Sequence, residues 1–239
     1  MVGDLYWICM FIVGSLETRE RLPELMDDPA LDARLHRQAL RGLSRINAVS
    51  RSAAVFWPTV LALARRGPIR VLDAACGGGD TLARLRRRAD REGLEVSWLG
   101  CDISPTAVSQ ARESVPGAEV FVHDLLGGPL PGEYDLCING LFLHHLDGPD
   151  VVRALRAMRE SADAVAVSDL VRSKAGFWAA WLGTRLLSRS PVVHVDGPLS
   201  VRAAWTMDEM KVLADEAGMG NAVVEPTFPY RMRLTWRRG

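Results

Sequence analysis

The stretch Val71-Leu72-Asp73-Ala74-Ala75-Cys76-Gly77-Gly78-Gly79-Asp80 has the clearest chemical use in the sequence. A short apolar run breaks at three consecutive glycines, and helical spacing resumes in Thr81-Leu82-Ala83-Arg84-Leu85. Strand, glycine turn and helix form the shape of a nucleotide-type cofactor site at the carboxyl end of a parallel strand. Glycine suits the turn because a side chain would hold a ligand off the backbone and resist φ > 0. The dinucleotide fingerprint fails: counted from Ala75, its first glycine is alanine and its third falls on Asp80. A P-loop fails as well, since no Gly-Lys-Ser/Thr follows. Glu95 to Asp102 then reads as a strand ending in an acid, 23 residues past Gly79. That is where such folds place the carboxylate that accepts from both hydroxyls of a ribose.

Two further residue types bear on chemistry. Five histidines, His36, His123, His144, His145 and His194, are candidates for a general base. Cys9, Cys76, Cys101 and Cys137 contain no C-x-x-C pair. They read as reduced, mostly buried thiols of a cytosolic protein, with no zinc or other metal site expected.

The elements that must position these residues fit one α/β domain with an appendage in a chain of 239 residues. With 48% hydrophobic and 24% charged residues there is enough apolar material for a packed core. Formal net charge is zero, so no electrostatic footprint for nucleic acid is expected. The run Leu5 to Val13 is far short of the ~20 residues of a membrane span. It reads as an apolar cap or as sequence upstream of the natural start. Pro23 and Pro29 punctuate a linker-like stretch.

Leu31, Leu35, Ala39, Leu43 and Ile46 mark one face of a helix to Asn47, on which Arg45 and Asn47 could reach a cofactor or stay solvated. A second helical piece runs from about Ser50, interrupted or restarted at Pro58. Gly93 caps the helix after the glycine turn, and Ser104-Pro105 opens the next. Strands are expected at 119–122, 134–139 and 164–169, with a helix from Asp147-Gly148-Pro149 to about Glu160. An aromatic helical insertion, about 171–195, carries Phe177, Trp178 and Trp181. Thr206-Met207-Asp208-Glu209 is a capping box, and the strands 222–225 and 230–236 close the chain as an antiparallel pair.

The run from Asp73 to Gly79 resembles the D-x-G-x-G-x-G motif of class I S-adenosylmethionine-dependent methyltransferases, with Ala75 in place of the first glycine. The resemblance covers about Gly67 to the C-terminus and implies a seven-stranded, mostly parallel Rossmann-like sheet with an antiparallel closing strand. Residues 1–66 would form an N-terminal segment and helical lid, and 67–239 the S-adenosylmethionine-binding domain. It implies cofactor contacts at Asp73, Ala75, Cys76, Gly77, Gly79, Asp80, Asp102, Ile103, Asp124, Leu125 and Asn139, with Asp124 accepting from the adenine amino group. Cofactor and acceptor would meet at Asn139-Gly140-Leu141-Phe142. The family's nucleic-acid amino-methylating members have Pro-Pro-aromatic after the Asn or Asp, so a nucleobase acceptor is not expected. Pro23 to Asp28, Arg41 to Asn47 and Asp196 to Arg202 are similar to bacterial methyltransferases associated with type III polyketide synthases, and more distantly the core to quinone-biosynthesis enzymes.

The resemblance implies a cytoplasmic enzyme that O-methylates a small apolar phenol, pyrone or quinol, its oligomeric state left open and without stable membrane insertion. A phenol with a pKa near ~10 benefits from a base. His145 and His194 are the candidates, with His144, Phe177, Trp178 and Trp181 lining the acceptor. C-methylation of the quinone-biosynthesis type and a non-catalytic S-adenosylmethionine-binding module are the alternatives.

Overall fold

The computed structural model describes residues 16–28 and 30–239, so the apolar run at 5–13, Cys9 and Pro29 lie outside the described residues. The sheet is built from β1 (Ile69–Ala74), β2 (Val96–Asp102), β3 (Glu119–Val122), β4 (Leu136–Gly140), β5 (Ala164–Leu170), β6 (Val223–Thr227) and β7 (Arg231–Arg237). Their order across the sheet is β3-β2-β1-β4-β5-β7-β6, parallel through β5 and closed by antiparallel strands. The helices are α1 (Ala33–Val49), α2 (Trp57–Ala64), α3 (Asp80–Glu92), α4 (Pro105–Ser114), α5 (Gly148–Ser161), α6 (Lys174–Leu187), α7 (Pro191–Ala203) and α8 (Met207–Glu216).

The chain divides into two compact units. The larger comprises Arg51–Asp169, Met207–Thr227 and Met232–Gly239, and so holds nearly the whole sheet. The central strands β4 and β5 are buried on both faces, through Asn139 and Asp169 respectively. That burial is why they read as continuous apolar runs. Phe56, Trp57 and Val60 join Val71, Leu82, Leu136 and Ile138 in one core cluster. Pro58 lies in the first turn of α2, where its missing N–H costs nothing, so it starts that helix. Gly93 ends α3 with φ 65°, and the Ser104 hydroxyl caps α4 by accepting from Ala107 N at 3.3 Å.

The smaller unit holds the described residues up to Ser50, Leu170–Thr206 and Phe228–Arg231. Ala39 of α1 packs with Val192 and Val193 of α7, flanked by Leu25, Met26, Leu31, Leu43 and Ile46. The expected helical insertion is a pair of helices. Beyond α6 the chain forms α7, which runs through Gly197-Pro198 to Ala203. The Asp196 carboxylate, which is buried, accepts from Leu25 N at 2.8 Å and Met26 N at 3.0 Å. Ser200 Oγ donates to Glu24 at 2.5 Å, Arg202 pairs with Glu20, and Arg19 Nε donates to Ala203 O at 2.6 Å. These bonds strap the segment before α1 along α7.

Candidate active site

The β1–β2 register places Ala74 beside Cys101, so the turn leaving β1 meets the end of β2. Cys76 N donates to Cys101 O at 2.9 Å, and one residue on Gly77 N donates to Asp102 Oδ2 at 2.9 Å. The other carboxylate oxygen of Asp102 accepts from Ser104 N at 2.9 Å. Asp102 therefore sets the glycine turn and the start of α4 at once, and each oxygen keeps a second lone pair for a ligand. Gly77 takes φ 53°, and a Cβ built on it meets nothing within 4 Å. A Cβ on Gly79 would lie 3.1 Å from Ala111 Cβ, so Gly79 serves helix packing while Gly77 faces open space. Ala75 itself adopts φ 57°, a conformation the motif's usual glycine takes without strain.

Behind the turn, Asp73 is buried and its Oδ2 has no hydrogen-bond partner. Burial, reinforced by the nearby Asp102 carboxylate, pushes its carboxyl up to about 8. Burial also raises the Cys76 and Cys137 thiols, and pushes Cys101 up to about 12, so these three are unreactive thiols near neutral pH. Asn139, fully buried in β4, donates through Nδ2 to Ala74 O at 2.7 Å, while its Oδ1 lacks a partner. Asp80 opens α3 and is exposed. Ile103 is 65% exposed beside Asp102, where an apolar group can cover a flat ring. Asp124 is exposed, with Oδ1 accepting from Leu126 N at 2.9 Å, and Leu125 is buried. An open glycine turn, a strand-end carboxylate and two unsatisfied buried oxygens are a set of acceptors that fits a ribose-bearing, cationic ligand.

A second constellation lies at the ends of β4 and β5, which pair in parallel with Gly140 opposite Ser168. The Leu143–His145 turn follows β4 and Asp169 ends the buried part of β5. His144 N donates to Asp169 Oδ2 at 3.0 Å, and His144 Nδ1 donates to Asp169 Oδ1 at 2.6 Å, with both residues buried. The carboxylate fixes the ring plane and the Nδ1–H tautomer, which puts the basic lone pair on Nε2. The His145 ring lies 4.1 Å from that of His144.

His194 belongs to the smaller unit, where its Nε2 is 2.8 Å from Ser188 O and bridges the turn between α6 and α7. On α6, Phe177 is buried, and Phe177, Trp178 and Trp181 stack edge to face at 5.7 and 5.9 Å. Arg45 donates to Leu187 O at 3.0 Å within that unit. Asp169 was not singled out from sequence. The available signal was an acid closing the strand Ala164-Val165-Ala166-Val167-Ser168, the next strand after the one that precedes two histidines.

The topology and glycine site define the class I S-adenosylmethionine-dependent methyltransferase fold, and residues 71–163 match the methyltransferase domain family model. The chain is 29% identical over 125 residues to a magnesium-protoporphyrin O-methyltransferase of Rhodobacter capsulatus, a match spanning 51% of this chain and about half, 53%, of that relative. Among solved structures it is similar to the plantazolicin methyltransferase BpumL in complex with SAH, with TM-score 0.66 and 14% identity over 89% of this chain and 92% of that one. It is also similar to magnesium protoporphyrin IX methyltransferase from Synechocystis with bound SAH, with TM-score 0.57 and 16% identity over 90% and 91% of the two chains. These likenesses are to small-molecule methyltransferases and single out neither the polyketide nor the quinone type.

Proposed function

We propose that this protein is an S-adenosylmethionine-dependent methyltransferase that O-methylates a small apolar hydroxylated molecule, a phenol or pyrone of polyketide type or a quinol. The observation that carries the cofactor reading is the open turn at Gly77 tied to Asp102, within the matched domain. Bound there, S-adenosylmethionine supplies an electrophilic methyl on a sulfonium. The backbone from Ala75 to Gly79 and the Asp73 carboxylate would hold its amino-acid end. Asp102 would accept from the ribose hydroxyls, with Ile103, Asp124 and Leu125 around the adenine, and Asn139 would close the floor.

For the acceptor, we assign the proton to His144 rather than to His145 or His194. A buried carboxylate orients His144, whereas His194 is engaged with the α6–α7 turn. His144 Nε2 would take the hydroxyl proton as the oxygen attacks the methyl, and Asp169 would stabilise the resulting imidazolium. His145 is proposed as an acceptor contact.

Turnover tests the reading: candidate phenols, pyrones and quinols are incubated with S-adenosylmethionine, and methylated product and S-adenosylhomocysteine are followed by mass spectrometry. His144→Gln is expected to lower kcat about 10²–10⁴-fold with cofactor affinity unchanged. The loss should shrink as the acceptor hydroxyl becomes more acidic, because such hydroxyls ionise unaided. Equal loss across that acceptor series would assign His144 to packing. A protein that binds the cofactor and methylates no acceptor would favour the non-catalytic alternative, and methyl found on carbon would favour C-methylation.

A further inference from the structure

The smaller unit carries a surface that the methyl-transfer reading does not use. On α6, Trp178, Leu182 and Leu186 are 52%, 51% and 73% exposed. They recur every fourth residue, so they form one outward apolar stripe on a helix whose Phe177 and Thr184 are buried. Single exposed apolar residues are ordinary, but a stripe of Trp and two Leu along a helix is not.

The charge around the stripe is one-sided. From 171 to 195 the sequence has no acid, and Lys174, Arg185 and Arg189 are not buried, whereas Arg172 is buried; the whole chain has 29 residues of each sign. From 33 to 50 it has Arg34, Arg37, Arg41 and Arg45 with no acid; Asp32, just before, lies 3.6 Å from Arg34. The two stretches meet within this unit. Arg45 Nε donates to Leu187 O at 3.0 Å, and Gln38 Nε2 donates to Arg189 O at 3.1 Å. Gly42 fits against Ser188, since a Cβ there would come within 2.2 Å of its Oγ. Arg34, Gln38, Arg41 and Arg45 share one face of α1 by spacing, so exposed guanidinium groups flank the end of α6 where Leu186 lies.

We propose that this α1–α6 face docks on an anionic phospholipid surface, with Trp178, Leu182 and Leu186 entering the headgroup boundary and the α1 arginines pairing with phosphates. A predominantly basic rim, in which Asp32 lies beside Arg34, around an exposed Trp-Leu stripe has the chemistry of an interfacial helix. A nucleic-acid partner would leave the aliphatic stripe wet. No described helix is long and apolar enough to cross a membrane, so the docking is peripheral.

The test is sedimentation of the full chain with vesicles of phosphatidylcholine alone and of phosphatidylcholine mixed with phosphatidylglycerol, at low and high salt. Binding to the anionic vesicles is expected, weaker to the neutral ones and reduced by salt. Arg34→Gln with Arg41→Gln should weaken anionic-vesicle partitioning about 30-fold, at about fivefold per base. Leu182→Ser with Leu186→Ser should weaken partitioning to both vesicle types by about tenfold or more. Both double variants are expected to keep the wild-type melting temperature and S-adenosylmethionine affinity, which separates this proposal from the catalytic one. Absence of binding to either vesicle, or equal binding by wild type and both variants, overturns the proposal. So does a dimer in solution that Leu182→Ser with Leu186→Ser converts to monomer, because a second copy would then be what covers the stripe.

Discussion

Asp73 and Asp102 are both carboxylates at strand ends, yet their surroundings give them different tasks. Asp102 is tied by two main-chain N–H groups, from Gly77 and Ser104. Asp102→Ala should therefore weaken S-adenosylmethionine binding by roughly 1–3 kcal/mol, through loss of its bonds to the ligand and of the tether on the turn. Asp102→Asn keeps one acceptor and should lose less. Calorimetric titration reads both, and unchanged affinity in a folded alanine variant would remove Asp102 from the site. Asp73 has an unpartnered oxygen and a carboxyl raised from 3.8 to about 8. Between those values the folded chain holds a proton that the unfolded chain has released, so Asp73 makes stability fall as pH climbs from about 4 to about 8. Asp73→Asn removes that dependence. Its melting temperature should match wild type near pH 4, exceed it increasingly up to pH 8 and then keep a constant margin. A pH-independent difference would show that Asp73 is already ionised in the fold. The same variant should bind the cofactor more weakly, since a cationic ligand facing Asp73 favours its ionised form.

At the scale of elements, the strand–turn–helix unit was legible because each part announces itself locally. An apolar run gives β1, glycine gives the turn, and α3 resumes its spacing until Gly93. The Ser104-Pro105 cap was equally readable, since capping acts within a few residues, while of the two readings left open at Pro58, interruption or restart, the structure has the restart. What escaped was non-local. Asp169 meets His144 across 25 residues, only because β4 and β5 pair with Gly140 opposite Ser168. Helix α7 runs on through Gly197-Pro198, a pair that reads as a break; the Gly197 Cβ position is filled by Thr184 of α6, so packing outweighs propensity there. The turn itself gives a direct test. Gly77→Val places a branched side chain in open space at φ 53° and should abolish S-adenosylmethionine binding. The variant should also lose about 1–2 kcal/mol of stability to the left-handed backbone. Circular dichroism and thermal melts should show the sheet intact, and normal cofactor affinity would place the ligand elsewhere.

At the scale of the whole molecule, each unit is stitched from segments far apart in sequence. The larger one closes its sheet with strands that follow the α6–α7 pair, and the smaller one gathers three separate stretches. The strap along α7 shows what this means for a chain made from one end. Leu25 finds its acceptor on Asp196, 171 positions later, Arg19 finds its own on Ala203, 184 positions later, and Glu24 meets its donor, Ser200, 176 positions later. During synthesis the early segment leaves the ribosome long before any of these partners exists. The smaller unit can therefore close only once most of the chain has emerged, while α2 to β5 of the larger one are already free to fold. Asp196→Asn would leave one of the two strap N–H groups without its carboxylate, and proteolytic nicking between Arg19 and Asp28 should rise while the sheet unit keeps its resistance. An early stop after β5 should likewise yield a segment 16–28 with nothing to bind, which makes the first stretch of this chain a late arrival in its own fold.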